Sequence, residues 1–236
     1  MSLVEEFVND WGELTYIPTS AGKVLLAIII ILLLAVAVFV AKKNAQKMAE
    51  SSQTESKKGA AMTIKQLTFC AMALALGTVL SNIKLFHFPT GGSITLFSML
   101  IIALPGYFFG LVPGIITGVA YGVLQLLIDP YVLFPMQLVV DYILAFGALG
   151  LSGLFVNKKK ALIKGYIVAI LGRFVFSVIS GWIFFGEYAW EGWGALPYSI
   201  VYNAIYIFSE AVITVIILLI PAVSSAVARV RQFANE

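Results

Sequence analysis

Charged residues and cysteine are scarce in this chain. Of its 236 residues only 11% are charged, whereas 61% are hydrophobic, and the mean hydropathy is +0.98. A soluble domain carries about 25% charged residues, so this composition excludes one and predicts an integral membrane protein. The single cysteine, Cys70, lies in an apolar run. It excludes a disulfide framework and a cluster of thiolate ligands, and we expect it to be a small buried side chain.

Histidine is equally scarce, since His87 is the only one. An intramembrane enzyme would need a nucleophile paired with a base, or a metal site. No such dyad or metal cluster is evident, although counting alone leaves a pair such as Asp129 and Asp141 open. We therefore expect no catalytic residue, metal or cofactor, and interpret His87 as an ordinary interfacial side chain. No Walker A pattern occurs and no inverted repeat is clear, which disfavours an ATPase and a standalone carrier.

Long apolar runs dominate what is present. The first, residues 24–41, is long enough to cross a bilayer once. The segment before it is acidic, which argues against a cleaved signal peptide and for a retained helix. A polar, lysine-rich stretch follows. We predict three parts: an outer N-terminus with an extra transmembrane helix (1–41), a basic cytoplasmic linker (42–62) and a substrate-binding membrane domain (63–236).

The membrane domain contains six further apolar segments. They predict an all-α bundle of six helices, preceded by the extra N-terminal helix, with spans at residues 66–82, 95–110, 113–128, 133–156, 165–185 and 198–223. Glycine and proline interrupt several of them, so we expect tilts, kinks and close helix contacts.

The basic residues indicate the orientation. Twelve of the 15 lie at 42–65, at 158–164 and at Arg229 and Arg231, all on one side if every span crosses once. The positive-inside rule makes that side cytoplasmic. The N-terminus and the loops 83–94 and 186–197 are then outside, in a multi-pass protein of the cell membrane. The net charge of +3 therefore results from basic clusters that indicate membrane topology. We expect lipid and not nucleic acid as a partner.

An outer mouth is predicted within residues 173–203, which contain ten aromatic residues and two carboxylates. Aromatic faces and carboxylates together suit a small, flat, cationic ligand. Trp190 and Trp193 fit the aromatic belt of a membrane interface. The better ligand candidates lie on or beside one helix face: Phe185, Tyr198, Tyr202 and Asn203. We interpret the loop 86–93, with its glycine pair, as a lid over this mouth.

Asp141 is the carboxylate that we expect to matter most. It lies within an apolar helix, where an ionisable group is costly unless it faces a cavity or a partner. The alternative is a structural Asp141 that pairs with Arg173 or is simply hydrogen-bonded near the interface. We interpret Arg173 as holding helices together, with Glu210 at a depth that suits it as a partner.

Several motifs occur together and in order: Thr-Gly-Gly-Ser-Ile-Thr-Leu-Phe-Ser-Met at 90–99, Gly-Val-Ala-Tyr-Gly-Val-Leu-Gln at 118–125, Asp-Tyr-Ile-Leu-Ala-Phe-Gly-Ala-Leu-Gly-Leu at 141–151, and the stretch 181–203. Over residues 63–223 the chain resembles the thiamine-specific S-component of energy-coupling factor transporters. The resemblance implies a six-helix subunit that captures thiamine (vitamin B1) from outside. It also implies docking on a transmembrane coupling protein and two ATPases, with toppling in the membrane to release the vitamin inward.

The resemblance also implies a set of substrate-binding residues. Asp141 would face the thiazolium ring, and Tyr198 and Asn203 would contact the aminopyrimidine. The full set is Tyr131, Asp141, Tyr142, Ser177, Gly181, Phe185, Tyr198 and Asn203.

Two positions depart from the family pattern. Ser177 stands where we expect histidine, and Phe185 stands where we expect tryptophan. These changes predict an affinity lower by about 1–3 kcal/mol, or a changed ligand such as a thiamine precursor or analogue.

A docking contact is implied for Ala71 and Ala75, which lie one turn apart in the first core helix. Packing within the subunit is the alternative, because small residues permit close approach in any membrane bundle. The resemblance thus predicts the substrate-binding subunit of an ATP-driven thiamine uptake system. The alternatives are an S-component for a thiamine precursor or related vitamin and, from another class, an intramembrane enzyme.

Overall fold

A computed structural model describes residues 4–8, 14–21, 24, 62–88, 92–156 and 158–236 of the chain. The predicted extra helix and the basic linker fall almost entirely outside these residues and stay predictions. Before them, strands β1 (Val4–Val8) and β2 (Leu14–Pro18) form an antiparallel hairpin in which Glu6 is opposite Tyr16.

The membrane domain is built from helices and one short hairpin. Its elements in chain order are α1 (Ile64–Ser81), β3 (Lys84–His87), β4 (Ser93–Thr95), α2 (Ser98–Phe109), α3 (Leu111–Ile128), α4 (Pro135–Phe155), α5 (Ala161–Phe184), α6 (Ala195–Leu218) and α7 (Pro221–Asn235). The helix α4 includes a π-helical segment, Val139–Leu144, and ends in a 3₁₀ segment, Ala148–Phe155.

All six predicted apolar segments are helical. Five of them, α1 and α3 to α6, are long and apolar enough to cross a membrane, whereas α2 has 12 residues. At 1.5 Å per residue α2 spans only about 18 Å. The predicted span, 95–110, began too early. Thr95 pairs with Lys84 in the β3–β4 hairpin and does not belong to the helix, which begins at Ser98. Phe97, the residue before α2, has a left-handed backbone conformation with a φ of 59°.

The last predicted span, 198–223, was wrong at its end. Pro221 disfavours helical backbone at the residue before it, and Ile220 is extended, with φ −69° and ψ 119°. The helix α6 therefore stops at Leu218 and α7 begins at Pro221, a favoured first position in a helix. Hydrogen bonds from Arg231 to the Val156 carbonyl and from Asn235 to the Phe108 carbonyl hold α7 against the bundle.

Glycines allow the central helices to approach closely. The helix α4 packs against α2, α3 and α5, and α5 packs against α6. A side-chain carbon at Gly122 in α3 would overlap the Tyr142 carbonyl oxygen of α4, so this contact needs glycine. The core between these helices is apolar and fully buried, as at Ile102, Leu149 and Ile207.

Candidate binding cavity

A cavity of about 170 Å³ opens between α3, α4, α5 and α6 beneath the β3–β4 hairpin. The structure brings all eight residues of the predicted substrate site together in its lining: Tyr131, Asp141, Tyr142, Ser177, Gly181, Phe185, Tyr198 and Asn203. They come from three helices, from the residue that follows α5 and from the loop of Tyr131, although they span more than seventy positions of the sequence.

The π-helical segment of α4 presents Asp141 and Tyr142 to the cavity. A π-turn widens the helix by one residue and is frequent at functional sites. The side chains of Ser180 and Gln137 face the Asp141 carboxylate. Among the residues that the structure describes, no basic group lies within ion-pair distance of Asp141, so the alternative pair with Arg173 is not formed.

Tyr142 and Gln137 fix the loop that carries Tyr131. The Tyr142 hydroxyl accepts a hydrogen bond from the Tyr131 amide at 2.8 Å. Gln137 is buried, accepts from the Leu133 amide at 2.8 Å and donates to the Tyr131 carbonyl at 3.0 Å. The position of the Tyr131 ring therefore depends on two polar side chains of α4.

An aromatic pair forms one wall of the cavity. The rings of Tyr131 and Phe185 lie 6.0 Å apart and nearly parallel, with an interplanar angle of 14°. Phe185 is 9% exposed. Parallel aromatic faces of this kind suit a flat ligand ring, which gains both buried area and favourable stacking.

The opposite wall is a ladder of tyrosines on α6. The Tyr198 and Tyr202 rings lie 5.5 Å apart, and those of Tyr202 and Tyr206 lie 6.0 Å apart. The predicted pair of Tyr198 and Tyr202 therefore continues for one more helical turn, to Tyr206. Tyr206 is a lining residue that the same spacing could have identified.

Asn203 has a defined hydrogen-bonding capacity. Its Nδ2 donates to the Ser199 carbonyl at 2.8 Å and to Ser199 Oγ at 3.2 Å. Its Oδ1 accepts from the Tyr206 hydroxyl at 2.7 Å. An amide has two N–H donors and two acceptor lone pairs, so both donors are used within α6 and one acceptor lone pair remains.

Gly181 brings α5 and α6 together beside this asparagine. A side-chain carbon at Gly181 would overlap Ser199 Oγ. The same hydroxyl donates to the Val178 carbonyl of α5 at 2.8 Å. Gly181 is thus required for the close contact between α5 and α6.

Ser177 and Arg173 lie one turn apart on α5 and both line the cavity. Ser177 is buried, and the Arg173 guanidinium lies 4.5 Å from the centre of the Phe146 ring. No described carboxylate is within ion-pair distance of Arg173. Arg173, which we interpreted as holding helices together, also forms part of the cavity wall.

Glu210 does not pair with Arg173 either. It is 3% exposed, and its carboxylate accepts hydrogen bonds from Thr95 and Met99 at the junction of β4 and α2. The depth of Glu210 in the membrane suggested Arg173 as its partner, which was wrong. Its actual partner Thr95 belongs to a hairpin that was not predicted.

The β3–β4 hairpin covers part of the cavity, as the predicted lid would. Lys84, Gly92 and Ser93 line the cavity from above. Lys84 Nζ forms an ion pair with the Asp129 carboxylate at 2.5 Å, which joins the hairpin to the end of α3. His87 Nδ1 is hydrogen-bonded to Ser93 Oγ at 2.8 Å on the exposed side of the hairpin.

The charges in the lining favour a cation. Three carboxylates and two basic side chains give a formal sum of −1, from Asp129, Asp141, Glu210, Lys84 and Arg173. Lys84 and Asp129 neutralise one another at the mouth. The inner part of the cavity therefore holds one uncompensated negative charge, which matches a singly charged cation.

Other predicted features lie outside the cavity. Glu187 and Glu191, the two carboxylates of the aromatic mouth, are exposed and do not line it. Trp190 and Trp193 are 44% and 45% exposed, as the belt interpretation expects. On α1, Ala71 and Ala75 are exposed and do not line the cavity.

Comparison with known proteins identifies the family. A family model described as thiamine transporter protein matches residues 67–229. The thiamine transporter ThiT of Bacillus subtilis is 35% identical over 144 residues, which cover 55% of this chain and 74% of the relative. The thiamine transporter ThiT of Lacticaseibacillus paracasei is 29% identical over 125 residues, which cover 46% of this chain and 62% of the relative.

A solved structure has the same fold. ThiT from Listeria monocytogenes superposes with a TM-score of 0.55 at 28% identity, over 66% of this chain and 94% of that one. The family model covers all of α2 to α6, which include the helices that form the cavity. The chain belongs to the thiamine transporter protein family.

Proposed function

We propose that this protein captures thiamine in the cavity between α3, α4, α5 and α6. As a member of its family it is a multi-pass membrane transport protein of a prokaryote. The observation that carries the proposal is the joint placement of an unpaired Asp141, the parallel Tyr131 and Phe185 rings and Asn203 around one cavity. These groups match the three chemical parts of thiamine: a cationic ring, flat aromatic faces and an amino group.

Asp141 would hold the thiazolium end. With no basic partner among the described residues, its carboxylate supplies a counter-charge in a partly buried site, where Coulomb attraction is stronger than in bulk water. Tyr131 and Phe185 would stack on the rings of the ligand.

Asn203 would recognise the aminopyrimidine end. Because its remaining group is an acceptor lone pair on Oδ1, it binds a ligand that donates an N–H. The 4-amino group of thiamine is such a donor. A ligand that presents a carbonyl at the same position would place two acceptors against one another.

The two departures from the family pattern bear on affinity. Ser177 offers a hydroxyl in place of a ring nitrogen, and Phe185 offers a smaller stacking face than an indole. The ligand could also be a thiamine precursor or analogue, and this alternative rests on these two positions. The intramembrane-enzyme alternative is set aside, because the family is one of transporters.

We further propose that the protein is the substrate-binding subunit of an energy-coupling factor transporter. Because no Walker A pattern occurs in the sequence, two partner ATPases would supply ATP hydrolysis through a transmembrane coupling protein. The exposed small residues Ala71 and Ala75 on α1 would dock on that protein. In this arrangement the cavity mouth and the N-terminus face outward, and the C-terminus is cytoplasmic.

The test is thiamine binding to the purified, detergent-solubilised protein, followed by quenching of tryptophan fluorescence. The pyrimidine precursor, thiamine phosphates and riboflavin serve as competitors. Tight binding of thiamine supports the proposal. Binding of the pyrimidine precursor in its place would keep the family and change the substrate. Failure to bind any of these ligands would contradict the thiamine assignment.

A further inference from the structure

The buried carboxylate of Glu210 is fully engaged with a single short segment far away in the sequence. Its Oε2 accepts hydrogen bonds from the Thr95 amide at 3.1 Å and from Thr95 Oγ1 at 2.6 Å. Its Oε1 accepts from the Met99 amide at 3.0 Å. A carboxylate that is 3% exposed is costly unless its acceptors are satisfied. All three donors here come from the junction between β4 and α2.

That junction lacks a hydrogen-bonding cap of its own. The helix α2 follows Phe97, which has a φ of 59° and no side-chain hydrogen bond to the helix start. A non-glycine residue in this region of backbone space persists only when its surroundings hold it. The first amides of a helix also need acceptors from outside the helix. Glu210 supplies one to Met99 and places negative charge at the helix start, where it is favourable.

The two segments that Glu210 joins are neighbouring walls of the cavity. The junction contributes Thr95, Ser98 and Met99, and α6 contributes the tyrosine ladder and Asn203. The hairpin also contacts the ladder directly, because the Phe88 ring lies 5.6 Å from Tyr202. Glu210 adds the hydrogen bonds that fix the distance between these walls.

We propose that Glu210 is a positioning residue for ligand retention, an inference that rests on the proposed thiamine binding. It holds the β3–β4 hairpin and the start of α2 against α6, so the tyrosine ladder and the covering hairpin keep one spacing around the ligand. Without this link the covering wall separates from α6 more readily, and a bound ligand escapes faster.

The test compares Glu210→Gln with a matched control, Thr214→Val. Glutamine keeps the shape and one acceptor oxygen, but its N–H₂ group must face either the Met99 amide or the Thr95 amide and hydroxyl, which now donate. Thr214 is equally buried one turn further along α6, and its hydroxyl donates to the Glu210 carbonyl within the helix at 2.8 Å. The control therefore removes a buried hydrogen bond that does not reach the hairpin.

Two measurements are made on the wild-type protein and on each variant. Stopped-flow tryptophan fluorescence gives the association and dissociation rates of thiamine, and hydrogen exchange reports on the segments 92–99 and 177–185 with and without the ligand. In Glu210→Gln we expect the dissociation rate to rise about tenfold while the association rate changes little. Thiamine should still slow exchange at 177–185, but no longer at 92–99. Thr214→Val should keep the wild-type rates and protection.

Wild-type dissociation and protection in Glu210→Gln would overturn the inference, and so would equal changes in both variants. Faster dissociation with wild-type protection at 92–99 would also overturn it, because loss of the Glu210 charge from the lining would then be a sufficient cause. If Glu210→Gln does not fold, Thr95→Val decides, since it removes one donor and keeps both amides. It should raise the dissociation rate about threefold, and unchanged rates would overturn the inference. If the wild-type protein binds no thiamine, the proposed function fails and this inference fails with it.

Discussion

Replacing Asp141 by asparagine removes the unpaired negative charge of the cavity with little change in shape. The carboxylate has no basic partner within ion-pair distance among the described residues, and the formal charge of the lining rises from −1 to zero. At about 4 Å and an effective dielectric constant near 20, two unit charges attract by about 4 kcal/mol. Lost hydration and the nearby Arg173 offset part of this. We expect a net loss of about 2 kcal/mol, or about 30-fold weaker thiamine binding.

The assay is calorimetric or fluorescence titration with two ligands, thiamine and an uncharged analogue whose thiazolium ring is replaced by thiophene. Asp141→Asn should weaken thiamine strongly and the uncharged analogue little. The matched control is Asp129→Asn, because Asp129 also lines the cavity but is exposed and paired with Lys84. Its effect should stay within about threefold, as expected for an exposed pair. Equal weakening of both ligands by Asp141→Asn would refute the counter-charge argument.

Three further predictions follow from the same geometry. An analogue with an oxo group in place of the 4-amino group should bind about tenfold more weakly in competition titrations, because Asn203 has only an acceptor left; equal affinity would contradict this assignment. Phe185→Ala should weaken thiamine about tenfold through lost stacking and buried area, whereas unchanged affinity would remove Phe185 from the site. Gly122→Ala should lower the thermal midpoint in detergent by an amount that corresponds to about 1–3 kcal/mol, because its methyl group meets the Tyr142 carbonyl; a wild-type midpoint would show that α3 and α4 separate easily.

The chain sequence was sufficient for the class of the protein and for much of the candidate site. Apolar runs of bilayer length predicted the six helices, since a membrane requires each span to satisfy its own backbone hydrogen bonds. The cost of an ionisable group in such a run identified Asp141. The i, i+4 spacing of Tyr198 and Tyr202 placed both on one helix face. Tyr131 and Gly181 came from the overall resemblance to a known family.

Local pattern was insufficient wherever distant segments determine the structure. The segment at Thr95 reads as helix, yet it pairs as a strand because Lys84 and Glu210 provide partners for it. The π-turn at Asp141 has no periodic signature of its own in a run of apolar residues. Arg173 was assigned to helix packing because its side of α5 could be known only once α3, α4 and α6 enclosed the cavity.

What the sequence alone determined is therefore the membrane class, the spans and the residue types suited to a flat cation, because burial in lipid acts on every stretch of chain independently. What only the tertiary structure decided is which of these residues share one cavity and how each polar group is satisfied. The hydrogen bond from Thr95 to Glu210 joins residues 115 positions apart. Such a contact depends on how the helices pack, and no local periodicity encodes it.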